Sequence, residues 1–347
     1  MIIREFLKTI IIIILHASLS KIRGKMDCVS GWCKSKRRLD GQTAIVTGSN
    51  TGIGKETASD FYARGARVIM ACRDTNKAEA AKKEIETERQ SETNLGTLIV
   101  EKLDVSSLKS VREFVGRILE SEPNINILVN NAGIMYTPEG KTEDGFELQI
   151  GTNHFGHALL TLLLLPRLIK SGPSRVVCVS SLLHKDVREF DFDNLNFEKT
   201  PYDPKVAYAN SKAANVLFAK GLAIKLKEMN IDNVTTYSLH PGVIRTDIGR
   251  NFNQTVGFGA TFAFNYMMGP FLKSVKCGAQ TSIFCAVDET CAEQSGLYYS
   301  DCAVKQPSKL CQDEDLATRF LDHTVKVLNL SNYKAFGESN PLKEILG

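Results

Sequence analysis

No charge of one sign dominates this sequence. Its 347 residues carry 43 Lys and Arg against 39 Asp and Glu, a formal net charge of +4. The basic excess sits in one segment, Lys34-Ser35-Lys36-Arg37-Arg38, and not along a helix face. A nucleic-acid partner therefore has no support, and a solvated or membrane-facing linker is expected there. A disulfide framework and a zinc pattern are missing too. The nine cysteines (Cys28, Cys33, Cys72, Cys178, Cys277, Cys285, Cys291, Cys302 and Cys311) are odd in number and irregular in spacing. They read as small buried thiols of a body that faces a reducing compartment. Around His154, His157, His184 and His240 no carboxylate or thiol completes a ligand set. No metal is expected, and hydrogen bonding is the use assigned to these histidines. Internal repeats and low-complexity tracts are absent apart from one isoleucine run.

That run, from Thr9 to Leu19, is shorter than the roughly 20 apolar residues of a clean spanning helix. Lys21, Arg23, Lys25, Lys34, Lys36, Arg37 and Arg38 follow it, whereas only Arg4 and Lys8 precede it. The positive-inside bias then leaves the body of the chain on the cytoplasmic side of a membrane anchor. A cleaved targeting peptide is the other reading, although no small-residue cleavage site stands out. Residues 1–38 are accordingly taken as anchor or targeting segment plus basic linker, 39–330 as one folded domain, and 331–347 as a tail.

With 43% hydrophobic and 24% charged residues, the chain can bury a full core. Short β-branched runs alternate with longer amphipathic stretches from Gly41 onward. Strands are expected at Thr43–Val46, Arg67–Ala71, Thr97–Lys102, Ile127–Val129, Arg175–Val179, Val234–Leu239 and Gly296–Tyr299. Helix-period segments fall at Lys55–Arg64, Lys77–Glu88, Ser107–Glu120, Gly151–Lys170, Val206–Met229 and Gly278–Ala286. This alternation predicts an α/β fold, a doubly wound parallel sheet of about seven strands in a single domain. Asp191–Pro204 lacks periodicity and reads as a loop. The segment Gly249–Lys276 interrupts the alternation.

The first strand runs into Thr47-Gly48-Ser49-Asn50-Thr51-Gly52-Ile53-Gly54. Gly48 permits a tight bend, Gly52 lets backbone N–H groups approach a pyrophosphate, and Gly54 lets the next helix pack on the strand. A spaced-glycine motif alone is weak evidence, but a strand before it and an amphipathic helix after it supply the context of a dinucleotide turn of Rossmann type. Cofactor contacts are therefore assigned to Gly48 through Gly54. The second strand ends at Cys72, and the next residue is Arg73, which suits a 2′-phosphate. Asp74 suits a helix cap better than a ribose contact. NADP(H) is thus expected over NAD(H). Asp104 and Val105 end the third strand and Asn131, Ala132 and Gly133 the fourth, again at carboxyl edges where such a sheet binds ligands.

Tyr208-Ala209-Asn210-Ser211-Lys212 places Tyr208 and Lys212 on one helix face. A phenol titrates near 10, so a base useful at neutral pH needs a shift of about three units, or about 4 kcal/mol. A lysine cation about 4 Å away at an effective dielectric near 20 supplies about that much. A surface pair of this spacing is common, so the pair gains meaning only from its company. Arg175–Val179 runs into Ser180 and Ser181 at another carboxyl edge, with Ser181 the better candidate for a substrate oxygen and Ser180 the alternative.

Thr47-Gly48-x-x-x-Gly52-x-Gly54, Asn130-Asn131-Ala132-Gly133, Ser181 and Tyr208-x-x-x-Lys212 resemble the short-chain dehydrogenase/reductase family in order and in kind, over about Leu39 to Tyr299. The resemblance implies a nicotinamide-dependent alcohol–carbonyl oxidoreductase with Tyr208, Lys212, Ser181 and Asn153 as its tetrad. It implies that Asn153 holds a water in a proton relay beside Lys212. It also implies cofactor contacts from Pro241, Gly242, Val243 and Thr246 in the loop after His240. Ala71-Cys72-Arg73-Asp74, Leu103-Asp104-Val105-Ser106, Gly151-Thr152-Asn153-His154-Phe155-Gly156-His157 and the residues after Tyr208 resemble the retinol dehydrogenase branch. That branch implies NADP(H), an endoplasmic reticulum membrane with the catalytic domain toward the cytosol, and retinal or another lipophilic aldehyde as substrate. A steroid or other lipid dehydrogenase and a dinucleotide-binding scaffold without turnover are the competing readings. The filled tetrad speaks against the scaffold. Phe252, Phe258, Phe262, Phe264, Tyr266, Met267, Met268 and Phe271 leave three uses open: a cover over an apolar substrate, a membrane contact, or core.

Overall fold

Seven short strands are apolar on both faces, which requires helices on both sides of the sheet they form. In the computed structural model, which describes residues 27–244 and 272–330, they are β1 (Thr43–Thr47), β2 (Arg67–Cys72), β3 (Thr97–Lys102), β4 (Ile127–Asn130), β5 (Ser174–Val179), β6 (Val234–His240) and β7 (Leu297–Ser300). They lie parallel in the order β3-β2-β1-β4-β5-β6-β7, and β8 (Ala303–Val304) pairs antiparallel with β7. Successive side chains alternate between two cores. Ile45, Leu128, Val176 and Cys178 enter one, while Ala44, Val46, Ile127, Val129, Val177 and Val179 enter the other.

The second core is closed by α1 (Gly52–Ala63), α2 (Thr75–Glu88) and, on a later stretch, α6 (Val275–Val287). The first is closed by α3 (Leu108–Ser121), α4 (Gly156–Ser171), α5 (Pro204–Glu228) and α7 (Glu314–Val327). Local chemistry starts these helices. Asp74 caps α2 by accepting from the Lys77 N–H at 3.0 Å, as its position predicts. Asp203 caps α5, and Pro204 occupies its first turn. Val111, Phe114, Val115 and Ile118 give α3 its buried stripe.

Several features differ from expectation, among them helix α7, for which no helix was expected. β8 follows a two-residue turn, Asp301-Cys302, with φ of 56° and 53°; neither residue is the glycine that usually marks such a turn. The helix expected over Gly151–Lys170 begins instead with a π-helical turn at Gly151–Phe155. The basic segment is no free linker: Arg64 Nη1 donates to the carbonyls of Ser35 (3.0 Å) and Arg37 (2.8 Å), and Ser35 Oγ donates to Glu289 (2.9 Å). Two of these three acceptors are main-chain carbonyls, which no side-chain pattern announces. All nine cysteines are unpaired thiols and most are buried, Cys72 and Cys178 within strands. The N-terminal apolar run, the Phe- and Met-rich insert, Thr246 and the tail lie outside the described residues. Among the described residues no helix is long and apolar enough to cross a membrane.

His154 and His157 sit inside the first core, and burial lowers them to about 3 and about 4. An unfolded chain takes up protons below about 6.5 that these folded sites exclude. Their contribution is complete above that pH and is lost as pH falls from 6.5 toward 4 for His157 and toward 3 for His154, by up to about 1.4 kcal/mol per pH unit for each histidine. Urea unfolding at pH 7 and pH 5 should show this loss, and His154→Leu should flatten the slope between them. Equal slopes in both proteins would contradict the neutral buried state.

Candidate active site

The strand order reverses between β1 and β4, so the loops leaving their carboxyl ends diverge and open a crevice. Gly48 and Gly52 take φ of 64° and 59°, a region that side chains disfavour, and this turns the chain from β1 into α1. A Cβ on Gly54 would collide with Asn131 Nδ2 and lie 2.6 Å from the Gly48 carbonyl oxygen. Helix α1 has no side-chain N-cap bond and no acid in its first turn, which leaves its positive end for an anion. Ser49 turns its side chain inward from this turn. Its hydroxyl is buried and donates to the Val46 carbonyl at 3.0 Å, so only its backbone can serve a cofactor.

Thr47 joins this turn to the rest of the crevice. Its Oγ1 accepts the N–H groups of Asn131 and Ala132, both at 2.9 Å, and lies 2.9 Å from His157 Nε2. His157 Nδ1 lies 3.1 Å from the Asn153 carbonyl, which can only accept. Nδ1 therefore carries the proton, Nε2 accepts, and the Thr47 hydroxyl donates to it. Asn131 Nδ2 adds a bond to the Thr47 carbonyl at 2.8 Å. Gly133 completes the approach, since a Cβ there would stand 3.3 Å from Asn153 Oδ1 and 3.5 Å from Lys212 Nζ.

Helix α5 carries Tyr208 and Lys212 one turn apart, both buried. Lys212 Nζ donates to the Val179 carbonyl at 3.1 Å and lies 5.6 Å from the Tyr208 ring centre. Burial lowers this lysine to about 8. The depressed phenol expected from a neighbouring cation is not what the structure holds. Burial pushes Tyr208 well above its ordinary value, and the Ser181 hydroxyl draws it back only in part. Burial dominates because the phenol is enclosed, while the ammonium, tethered to the Val179 carbonyl, lies 5.6 Å from the ring centre. Such a tyrosine is kept protonated, the state a proton donor needs.

Ser180 and Ser181 separate cleanly. Ser180 Oγ donates to the Lys212 carbonyl at 2.7 Å and is a tie between β5 and α5. Ser181 is half-buried and turns its hydroxyl toward Tyr208 while accepting from the Leu183 N–H at 3.3 Å. Asn153 spends its amide on protein. Its Oδ1 accepts from the Ile134 N–H at 2.9 Å, and its Nδ2 donates to the Ile134 carbonyl and to Ser211 Oγ, each at 2.9 Å. The side chain clamps the loop after β4 to α5.

Arg73 is exposed beyond β2, 4.0 Å from Asp104, whose carboxylate also accepts from the Ser106 N–H at 3.0 Å. Val105 is buried against α4, with its carbonyl in the space a Cβ of Gly156 would fill. After β6, His240 Nδ1 accepts the Leu182 N–H at 3.0 Å. Pro241, Gly242 (φ 98°) and Val243 follow, and the Val243 carbonyl accepts from the Lys273 N–H at 3.0 Å. Sequence reasoning assigned nothing to Glu147, Gln149 and Tyr202, a buried polar group beside the site, nor to the ring of Tyr136 stacked on Tyr208 at 6.0 Å. Among the described residues no cluster of His, Cys, Asp and Glu could hold a metal.

A doubly wound sheet with a glycine turn at its switch point and a Ser–Tyr–Lys group beside it defines a dinucleotide-dependent oxidoreductase. The family described as short chain dehydrogenase matches residues 42–191. Retinol dehydrogenase 13 of Homo sapiens is 44% identical over 86% of this chain and 88% of its own length. Retinol dehydrogenase 11 of Homo sapiens is 43% identical over 91% of this chain and 94% of its own length. An uncharacterized protein from Mycobacterium paratuberculosis superposes with a TM-score of 0.67 at 31% identity, covering 86% of this chain and 98% of that one. A 3-oxoacyl (acyl-carrier-protein) reductase from Agrobacterium tumefaciens with NADP bound shares the fold, with a TM-score of 0.59 at 23% identity over 75% of this chain and 93% of that one. The chain belongs to the short-chain dehydrogenase/reductase family and is retinol dehydrogenase-like.

The crevice holds residues suited to the nicotinamide dinucleotide of that family, and Gly54 is where its tolerance is smallest. Gly54→Ala should weaken dinucleotide binding roughly tenfold or more, read by calorimetric titration, because overpacking there displaces Asn131 or the turn. Undiminished affinity would contradict the assignment of the turn.

Proposed function

We propose that this chain is an NADP(H)-dependent oxidoreductase that interconverts a lipophilic alcohol and its aldehyde or ketone, with retinol/retinal or a lipid aldehyde as substrate. The observation that carries the reading is the half-buried Ser181 set against the buried Tyr208 and Lys212 at the carboxyl edge of the sheet, beside the dinucleotide turn. The bound dinucleotide supplies or takes up the hydride. Ser181 donates its hydroxyl to the carbonyl oxygen and orients it. Tyr208 passes its phenolic proton to that oxygen in reduction and takes it back in oxidation, and Lys212 sets the charge beside it.

Three observations support the finer choices. Leu182, Val206 and Val243 are exposed apolar side chains on the three segments that surround Ser181 and Tyr208, which suits a lipophilic substrate. Arg73 is exposed at the end of β2 while Asp74 is consumed as a cap, which suits a 2′-phosphate. The relatives named above are retinol dehydrogenases. The apolar run before residue 20 and the basic residues behind it favour an endoplasmic reticulum anchor with the catalytic body toward the cytosol.

Purified protein should reduce all-trans-retinal with NADPH, and Tyr208→Phe should lower kcat at least about a hundredfold. Turnover undiminished in Tyr208→Phe would sink the proton-donor role. Arg73→Ala should cut the preference for NADPH over NADH roughly tenfold, the loss of one charge-assisted contact. A wild-type enzyme that prefers NADH would overturn the cofactor choice.

A further inference from the structure

Tyr136 holds a backbone conformation that tyrosine disfavours, φ 53°, four residues beyond Ala132 and the end of the dinucleotide crevice. Strain of this kind persists only where neighbours over-determine it. Here they do. The Tyr136 N–H donates to Gln149 Oε1 at 2.9 Å, and Gln149, itself fully buried, donates through Nε2 to the Tyr202 hydroxyl (3.0 Å) and the Pro204 carbonyl (2.9 Å). The Tyr202 hydroxyl is shared between the Thr137 carbonyl at 3.1 Å and the buried carboxylate of Glu147 at 3.2 Å. Glu147 also accepts from the backbone of Gln149 and Ile150, at 2.9 and 2.7 Å. A buried network built from three separate segments thus aims one exposed-edge aromatic side chain.

Its target is the reacting pair. The Tyr136 ring stacks on the Tyr208 ring with centres 6.0 Å apart and planes 29° from parallel. The ring is only half-buried, and its hydroxyl lies within electrostatic reach of Lys205 and Asp186. Those two form an ion pair at 3.0 Å that joins the turn after Ser181 to the first turn of α5. The same two pieces of chain expose Leu182 and Val206. The approach to Ser181 and Tyr208 is therefore bordered by a flat aromatic ring and by aliphatic side chains.

We propose that Tyr136 is a specificity-determining residue, the aromatic wall of the substrate site, and that it selects carbonyl compounds whose carbonyl is conjugated to a planar unsaturated system over saturated chains. The inference deepens the function proposed above and rests on it. A planar π-system gains offset stacking against the ring, whereas a saturated chain gains only contact area. The effect of Tyr136 is on which substrate is held.

Two variants keep the backbone: Tyr136→Asn, since asparagine visits this region at little cost, and Tyr136→Gly, which relieves the strain altogether. The experiment compares kcat/KM for all-trans-retinal and for hexadecanal with NADPH, and measures all-trans-retinol binding to the dinucleotide-loaded protein by fluorescence. Both variants should lower the retinal-to-hexadecanal ratio of kcat/KM about tenfold, mainly through KM for retinal, and weaken retinol binding to a similar degree. Tyr136→Phe should retain the wild-type ratio. A ratio that stays constant in Tyr136→Asn and Tyr136→Gly, or a fall in kcat that is equal for both aldehydes, would overturn the proposal. Wild-type protein that binds retinol through Tyr136 yet turns over neither aldehyde would overturn the proposed reaction alone. Retinol binding that ignores all three substitutions would overturn the aromatic wall.

Discussion

The Thr47 hydroxyl is the junction on which the crevice depends. It receives two backbone N–H groups from the loop after β4 and gives its own proton to His157, which in turn holds the Asn153 carbonyl. One oxygen thereby fixes the spacing between β1, β4 and the π-helical turn that leads into α4. Its partners lie at 2.9 Å around a hydroxyl that is itself fully buried, where each unmade bond costs roughly 1–3 kcal/mol. The dinucleotide turn and the catalytic helix are otherwise far apart in sequence, and this node, with Asn153 bonded to Ser211 on α5, puts them in one register.

Burial sets the charges around that node. His157 and His154 are held neutral, Tyr208 is held protonated, and Lys212 is brought down to about 8. Neutral histidines add no competing cations, and His157 with its proton on Nδ1 makes directional bonds, which leaves Lys212 as the buried cation beside Tyr208. A phenol poised to give a proton and an ammonium tied to the Val179 carbonyl then follow from the same dry environment. The elements also meet at their polar ends: Ser180 bonds the Lys212 carbonyl, and His240 takes the Leu182 N–H, so β5, β6 and α5 share one rim.

Much of this was legible because parallel strands buried on both faces must read as apolar runs between amphipathic helices, and because Tyr208 and Lys212 are one helical turn apart. Asp74 as a cap was legible for the same local reason. What escaped was carried by main chain or by distant contact. β8 follows a turn whose Asp301 and Cys302 carry no glycine signal, although both take positive φ. Helix α7, where no helix was expected, is capped by Asp313 through the Leu316 N–H, and its place in the core depends on packing against α5. Ser49 and Asn153 lay at the right positions in their motifs, but where their side chains point depends on Val46 and Ile134. Tyr136 had no local signal at all, since its conformation is imposed by Gln149, and Gln149 is placed by Tyr202 and Pro204.

The most direct test of this account is Thr47→Val, which removes the hydroxyl and keeps the shape, set beside Thr47→Ser, which keeps the hydroxyl. The account predicts that Thr47→Val loses dinucleotide affinity and turnover together, by roughly tenfold or more for a node of this many bonds, and that Thr47→Ser retains most of both. A Thr47→Val protein that binds NADPH and turns over as the wild type does would show that the crevice is held by something else.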